Sequence, residues 1–290
     1  MKRFMYLLVF MALFITACNN EETQGTPTPQ PVEEDNNTTE EQPTDIGTDI
    51  DEEDSNKQED EEEETEEVDG ETEEPSEPQY YVNTVNWSIK PIDSANEKVV
   101  LLTIDDAPDK YAVEMAHTLK ELDVPAIFFV NGHFIDTPEE QEKLKTIYEL
   151  GFHIGNHTYN HPLLRDLPED KQREEIVKLN QMIEEVIGEK PKFFRAPHGV
   201  NTDISHQVIE EEGMIAMNWT YGYDWEKDYL EKDALTKIML ETPYLNDGAN
   251  LLMHDRSWTN EALKGIVEGL REKGYEFVDP SLITKREATE

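Results

Sequence analysis

The chain has 290 residues and carries 66 Asp/Glu against 25 Lys/Arg, a formal net charge of -41 at pH 7. A chain this negative excludes nucleic acid as a partner, because it would be repelled by the phosphate backbone, and argues against direct adhesion to an anionic membrane surface. A single cysteine, Cys18, rules out a disulfide framework.

The first residues read MKRFMYLLVFMALFITACNN. Lys2 and Arg3 give a positive start, and Phe4 to Ile15 form an apolar run of about a dozen residues, signal-peptide length and too short for a stable span. It ends in Thr16, Ala17 and Cys18. The pattern resembles a bacterial lipoprotein signal. That resemblance implies a signal peptide over 1–17, removal of it, and lipidation of Cys18, which anchors the chain in the cell membrane on its extracytoplasmic face. Residues 18–79 hold roughly 26 acidic residues against one basic residue, Lys57. So many like charges with few aromatics predict a disordered acidic linker. About 60 such residues reach on the order of 200 Å fully extended and roughly 40 Å as a flexible coil.

From about residue 95 the texture changes, and residues 80–290 read as the folded domain. KVVLLTI (98–104) is a buried strand, and residues 109–122 have helical spacing, with Val113, Ala116, Leu119 and Leu122 on one face. AIFFV (126–130) is the next strand. A helix follows, with Thr137 as N-cap, Pro138 in its first turn and Gly151 at its end. FHIGN, KFFRA, MIAMNWT, NLLMH and YEFVD read as further strands. Helices over about 168–187, 203–212, 233–241 and 259–273 separate them. Alternation of this kind predicts parallel strands with right-handed crossovers and helices outside, in an open doubly wound sheet or a barrel. Either fold places catalytic groups at the carboxyl ends of the strands.

Polar residues recur at those ends. Asp105 and Asp106 follow the first strand, and Asn131 and His133 the second. Next come His157 and His161, then Arg195 to Gly199, then Tyr221, Asp224 and Trp225, then His254 and Asp255. His157 and His161 are two imidazoles four residues apart, good ligands for zinc and its neighbours. A catalytic metal takes about three protein ligands and keeps one position open. Asp105 or Asp106 completes the set and leaves the other as a base. His254 suits a general acid, oriented and charged by Asp224. Arg195 suits the partner that holds the free Asp ionised. His117, His153 and His206 read as structural or surface residues, and Trp219 and Trp258 as packing rather than sugar platforms.

In order and spacing, TIDDAP (103–108), HTYNH (157–161), RAPHG (195–199), YGYDW (221–225) and LLMH (251–254) resemble the five motifs of the polysaccharide deacetylase family. The resemblance implies a distorted (β/α) barrel of about seven parallel strands and a divalent metal, zinc before cobalt or manganese. It makes Asp106, His157 and His161 the ligands and Asp105 the base, oriented by Arg195. Asp224 and His254 become the pair that protonates the leaving amine. Pro197, His198, Tyr223, Trp225 and Leu252 become substrate contacts, with Trp225 and Leu252 walling the acetyl methyl and the backbone at His198 holding the oxyanion. The chain departs from the usual motifs at Ile104 (usually Phe), Ala107 (usually Gly) and His198 (commonly Tyr), and at Tyr221–Gly222, where another Asp often stands.

The implied activity is metal-dependent hydrolysis of the acetamide of N-acetylated sugars in cell-wall glycan, by a monomer; N-acetylglucosamine and N-acetylmuramic acid both fit. Two alternatives stand beside it: a catalytically inactive wall-binding lipoprotein, and a deacetylase of another acetylated polysaccharide.

Overall fold

The computed structural model describes residues 77–285. The expected signal peptide, Cys18 and the acidic linker as far as residue 76 lie outside the described residues. The first elements are two short strands the sequence did not announce, β1 (Tyr80–Val82) and β2 (Ile89–Pro91), paired antiparallel.

The alternating series then begins. β3 (Val99–Ala107) leads to α1 (Ala112–Glu121), β4 (Ala126–Val130) to α2 (Pro138–Glu149), and β5 (His153–Asn156) to α3 (Glu169–Ile187). β6 (Phe193–Phe194), α4 (Asp203–Glu211), β7 (Ile215–Ala216) and α5 (Lys232–Glu241) follow. β8 (Ala249–His254), α6 (Ser257–Glu272), β9 (Glu276–Phe277) and β10 (Ile283–Thr284) are the last elements among the described residues. α2 starts as its sequence signals require. Thr137 caps the Glu140 amide while the Glu140 carboxylate accepts from the Thr137 amide.

Seven parallel strands form the main sheet, in the order β7-β6-β5-β4-β3-β8, with β9 also beside β3. The segment after β7 closes the circle. Met217 N–H donates to Phe194 O of β6. Thr220 N–H then donates to Asn250 O, and Tyr221 bridges Leu251 of β8. Closure through one bridge, with β6 and β7 of two residues each, makes the (β/α) barrel a distorted one. MIAMNWT is mostly not strand: β7 is only Ile215–Ala216, and the second half of the segment spans the gap between β6 and β8.

Period-two alternation sorts the side chains into two cores. Leu102, Ile104, Phe128 and Val130 face the helices and pack with Met115, Leu119, Leu263 and Ile266. Leu101, Ile127, Phe129 and Phe193 face the barrel interior. The buried face of α1 is Ala112, Met115, Ala116 and Leu119, with Val113 only partly buried, one step round from the expected face. β10 joins β1 and β2 in a small sheet whose Tyr80, Val82, Ile89 and Ile283 enter the interior core. Ile89 N–H donates to Gly248 O, and the backbones there leave no room for a Cβ. One on Gly248, whose φ is +79°, would lie 2.0 Å from Ile89 O.

Candidate active site

β3 delivers both carboxylates through a local fault. Ile104 pairs with Phe128 but Ala107 pairs with Val130, so β3 carries one extra residue at Asp105–Asp106. Asp106 takes φ 58° there. Regular alternation would send adjacent side chains to opposite faces; the bulge re-aims one. Asp105 Oδ2 lies 3.5 Å and Asp106 Oδ1 4.0 Å from His157 Nε2.

The HTYNH segment is held in an equally uncommon backbone. Thr158 and His161 have φ 67° and 56°, conformations that cost a non-glycine residue on the order of 1–3 kcal/mol. Hydrogen bonds over-determine it. Asn131 Nδ2 donates to His157 O (2.7 Å) and Thr158 O (3.1 Å), and Thr158 N–H to Asn156 Oδ1 (2.8 Å). Glu175 of α3 accepts from both nitrogens of Asn160 at 2.7 Å. His133 Nδ1–H donates to Tyr159 O, so this rim histidine serves the loop.

His157 Nδ1 lies 2.7 Å from Arg195 O, a carbonyl that can only accept. The proton therefore sits on Nδ1, and Nε2 presents a lone pair to the cleft. Burial and the neighbouring His161 push the His157 pKa down to about 3, against the pull of Asp106. Burial lowers His161 as well. Both rings are therefore neutral, as metal ligation requires. His161 Nε2 lies 3.6 Å from Asp106 Oδ1, and the donor atoms of Asp106, His157 and His161 all fall within 4.8 Å of one another. Atoms bound at zinc distances in a tetrahedron stand roughly 3.3–3.6 Å apart. The trio fits a divalent ion with little closure.

Arg195 is wholly buried. Its Nη1 donates to Asp105 Oδ1 at 2.5 Å and Thr103 Oγ1 at 2.8 Å, its Nη2 to Asn218 O at 2.9 Å, and its guanidinium lies over the Phe129 ring. Burial nevertheless raises the Asp105 pKa from its ordinary value, against the charge and hydrogen bond of Arg195. Arg195 pulls the other way, as expected of the partner that favours the ionised form, but desolvation at the foot of the cleft is the larger influence. A raised pKa suits a base that must later release its proton.

Across the cleft, His254 Nδ1–H donates to Asp224 Oδ1 at 2.7 Å, leaving Nε2 as the ring's free nitrogen. Asp224 Oδ2 accepts from the His254 amide at 2.6 Å and Thr259 Oγ1 at 2.7 Å. Trp258 Nε1–H donates to Asp224 O. Burial is the largest single influence on His254 and lowers its pKa. The hydrogen bond and charge of Asp224, with the charges of Asp105 and Asp106, outweigh it and leave the ring above its ordinary value.

These groups share a cleft of about 350 Å³ lined by Asp105, Asp106, His157, His161, His254 and, on its walls, His198, Trp219, Trp225 and Leu252. His198, at φ 58°, sets its ring against His161 with centroids 4.9 Å apart. The turn around it is closed by the amides of Gly199 and Val200, and the His198 amide takes no part in that closure. Two residues expected as substrate contacts stand off this cleft. Tyr223 does not line the cleft: its hydroxyl bonds Thr242 and its ring packs on Tyr221 and Tyr229. Pro197, the first residue of the turn, is buried and is not among the residues that line the cleft. Trp219, read as packing, is a wall residue of the cleft, carried by the segment that joins β7 to the edge of β8.

Sequence reasoning missed three supports. Arg256 Nη2 donates to Asp106 Oδ2 at 2.9 Å, Thr259 holds Asp224, and Asp255 accepts from the amides of Lys110 (2.9 Å) and Tyr111 (2.6 Å). The last holds the two residues that precede α1. All three lie in or beside HDRSWT, directly after the fifth motif, and adjacency was the only signal they offered.

Comparison with known proteins agrees with this geometry. The polysaccharide deacetylase family model matches residues 93–217. An uncharacterized protein of Bacillus subtilis, YlxY, is 32% identical over 171 residues, covering 58% of this chain and 51% of YlxY, so the chain spans about half the length of that relative. A peptidoglycan-N-acetylglucosamine deacetylase of Bacillus cereus is 31% identical over 189 residues, covering 62% of this chain and 68% of the relative. Among solved structures, a CE4 family pseudoenzyme of Bacillus anthracis matches with a TM-score of 0.59 at 32% identity, over 66% of this chain and 68% of that one. A mutant of that pseudoenzyme with restored enzymatic activity matches with the same TM-score at 34% identity, over 66% of this chain and 70% of the mutant's. Agreement this extensive, over a barrel whose strand ends carry the motifs, means that the chain belongs to the polysaccharide deacetylase family.

Proposed function

We propose that this protein is a metal-dependent N-deacetylase of peptidoglycan or a related cell-wall glycan. The observation that carries the reading is the convergence, in one cleft, of a buried carboxylate, a three-ligand trio and a carboxylate-oriented imidazole. Asp106, His157 and His161 would hold the ion, with zinc the first candidate. When bound, the ion supplies a Lewis acid for the acetamide oxygen and acidifies water.

The remaining chemistry belongs to the chain. Asp105 accepts a proton from the water whose oxygen bonds to the acetamide carbon. The amide at His198 offers a hydrogen bond to the oxygen that gains charge. His254, protonated and held by Asp224, gives its Nε2 proton to the nitrogen as the C–N bond breaks. Acetate and a free amino sugar result. Trp225 and Leu252 offer an apolar seat for the acetyl methyl. In this reading Cys18 carries the lipid, and the acidic linker gives the domain reach from the membrane into the wall.

Acetate release from purified peptidoglycan and chitooligomers, with and without chelator, tests the reading. Chelator-sensitive release supports it; release indifferent to chelator sinks the metal mechanism. The likeness to a pseudoenzyme favours one rival, a wall binder without turnover. It predicts retention on peptidoglycan with no acetate after zinc, cobalt or manganese is supplied.

A further inference from the structure

The two oxygens of Asp106 are employed differently. Oδ1 faces His161 Nε2 at 3.6 Å and His157 Nε2 at 4.0 Å. Oδ2 points the other way and accepts from Arg256 Nη2 at 2.9 Å. The guanidinium is itself anchored, since Nη1 donates to Asp255 O at 3.1 Å. Asp255 in turn grips the amides of Lys110 and Tyr111, and its own amide donates to Asp105 O. Arg256 therefore reaches Asp106 from a frame that also holds the backbone leaving β3. An isolated ion pair with an arginine 37% exposed would count for little. This one is placed on the carboxylate of the ligand trio.

We propose that Arg256 is a positioning residue that commits Asp106 to offer a metal only Oδ1. The inference rests on the metal reading above. A carboxylate can bind one cation through one oxygen or two. Two-oxygen binding would take up the position that a catalytic ion must keep for water and substrate. The charge-assisted hydrogen bond engages Oδ2 and also draws electron density from Oδ1, leaving the ion more electron-poor. Arg256 touches no reacting atom; it acts through Asp106.

The test uses the full-length chain loaded with cobalt(II), comparing wild type with Arg256→Ala, Arg256→Lys and His157→Ala. Visible d–d absorption weakens as cobalt gains ligands. Arg256→Ala is expected to keep its cobalt but show weaker bands, with kcat lowered about 10–100-fold and KM little changed. Arg256→Lys, which keeps a charged donor, is expected to lie nearer wild type. Wild-type bands and kcat in Arg256→Ala would overturn the proposal. So would loss of cobalt as complete as in His157→Ala, which would mark Arg256 as merely structural. Wild type that takes up no cobalt would sink the metal reading and this proposal together, an outcome distinct from the other two.

Discussion

Asp105 and Arg195 form a buried pair, with side chains 3% and 0% exposed. Removing one partner of such a pair costs about 3–5 kcal/mol, because the other charge stays buried and alone. Arg195→Ala is therefore expected to unfold at clearly lower denaturant. Asp105→Asn keeps an acceptor for the guanidinium and should lose less stability, while deacetylation falls by about 10²–10⁴-fold. A variant that keeps full acetate release with its metal bound would remove Asp105 from the role of base. For His254 the sign follows from its raised pKa. An acid acts only while protonated, so activity is present below the folded-state pKa and is lost as pH rises through it. Asp224→Asn removes the main influences holding that pKa up. The alkaline limb of the pH–kcat/KM profile should move to lower pH, and an unmoved limb would take His254 out of the acid's role.

Two local elements turn motif residues into a site: the bulge in β3 and the loop between β5 and α3. The loop rests on Gly132, where a Cβ would lie 2.0 Å from Tyr159 Cδ2. Gly132→Ala must displace Tyr159, the residue midway between the two histidines. Overpacking of this kind costs about 1–3 kcal/mol, and here it should also weaken metal retention in equilibrium dialysis. Thr137→Ala is the matching control. It removes the α2 cap, at about 1 kcal/mol, on an exposed side chain whose bonds go to Glu140, and should leave metal content and kcat unchanged. If both variants lose stability alike and neither changes metal content, the loop does not position the ligands.

For the whole molecule, the barrel separates two jobs. The small sheet of β1, β2 and β10 contributes to the interior core, while the cleft opens at the carboxyl ends of the main strands. The proposed lipid anchor bears on where this activity is spent, not on its chemistry. Cys18→Ser should shift the protein from the membrane fraction to the medium, with acetate release from soluble chitooligomers unchanged. Membrane retention of the variant would refute anchoring through Cys18.

The elements that sequence alone determined are those with a strong local or ordered signal. The end signals of α2, the apolar run of β3 and the order of the polar strand ends were enough to place parallel strands with a cleft at their carboxyl ends, and the resemblance of the motifs supplied the barrel. Spacing singled out His157 and His161 as a pair, and the ordered motifs added Asp106. Tertiary structure decided what depends on residues far apart in sequence. β1, β2 and β10 are strands of two or three residues, too short to carry a period, and exist only through pairing and core contact. Tyr223 stands off the cleft with its hydroxyl on Thr242, just past the end of α5, and Trp219 lines it from the segment that closes the barrel between β7 and β8. Arg256 meets Asp106 across 150 positions of chain, and no local pattern encodes such a contact. Side-chain types recorded which chemistry was available; the bulge, the barrel closure and burial decided which atoms could perform it.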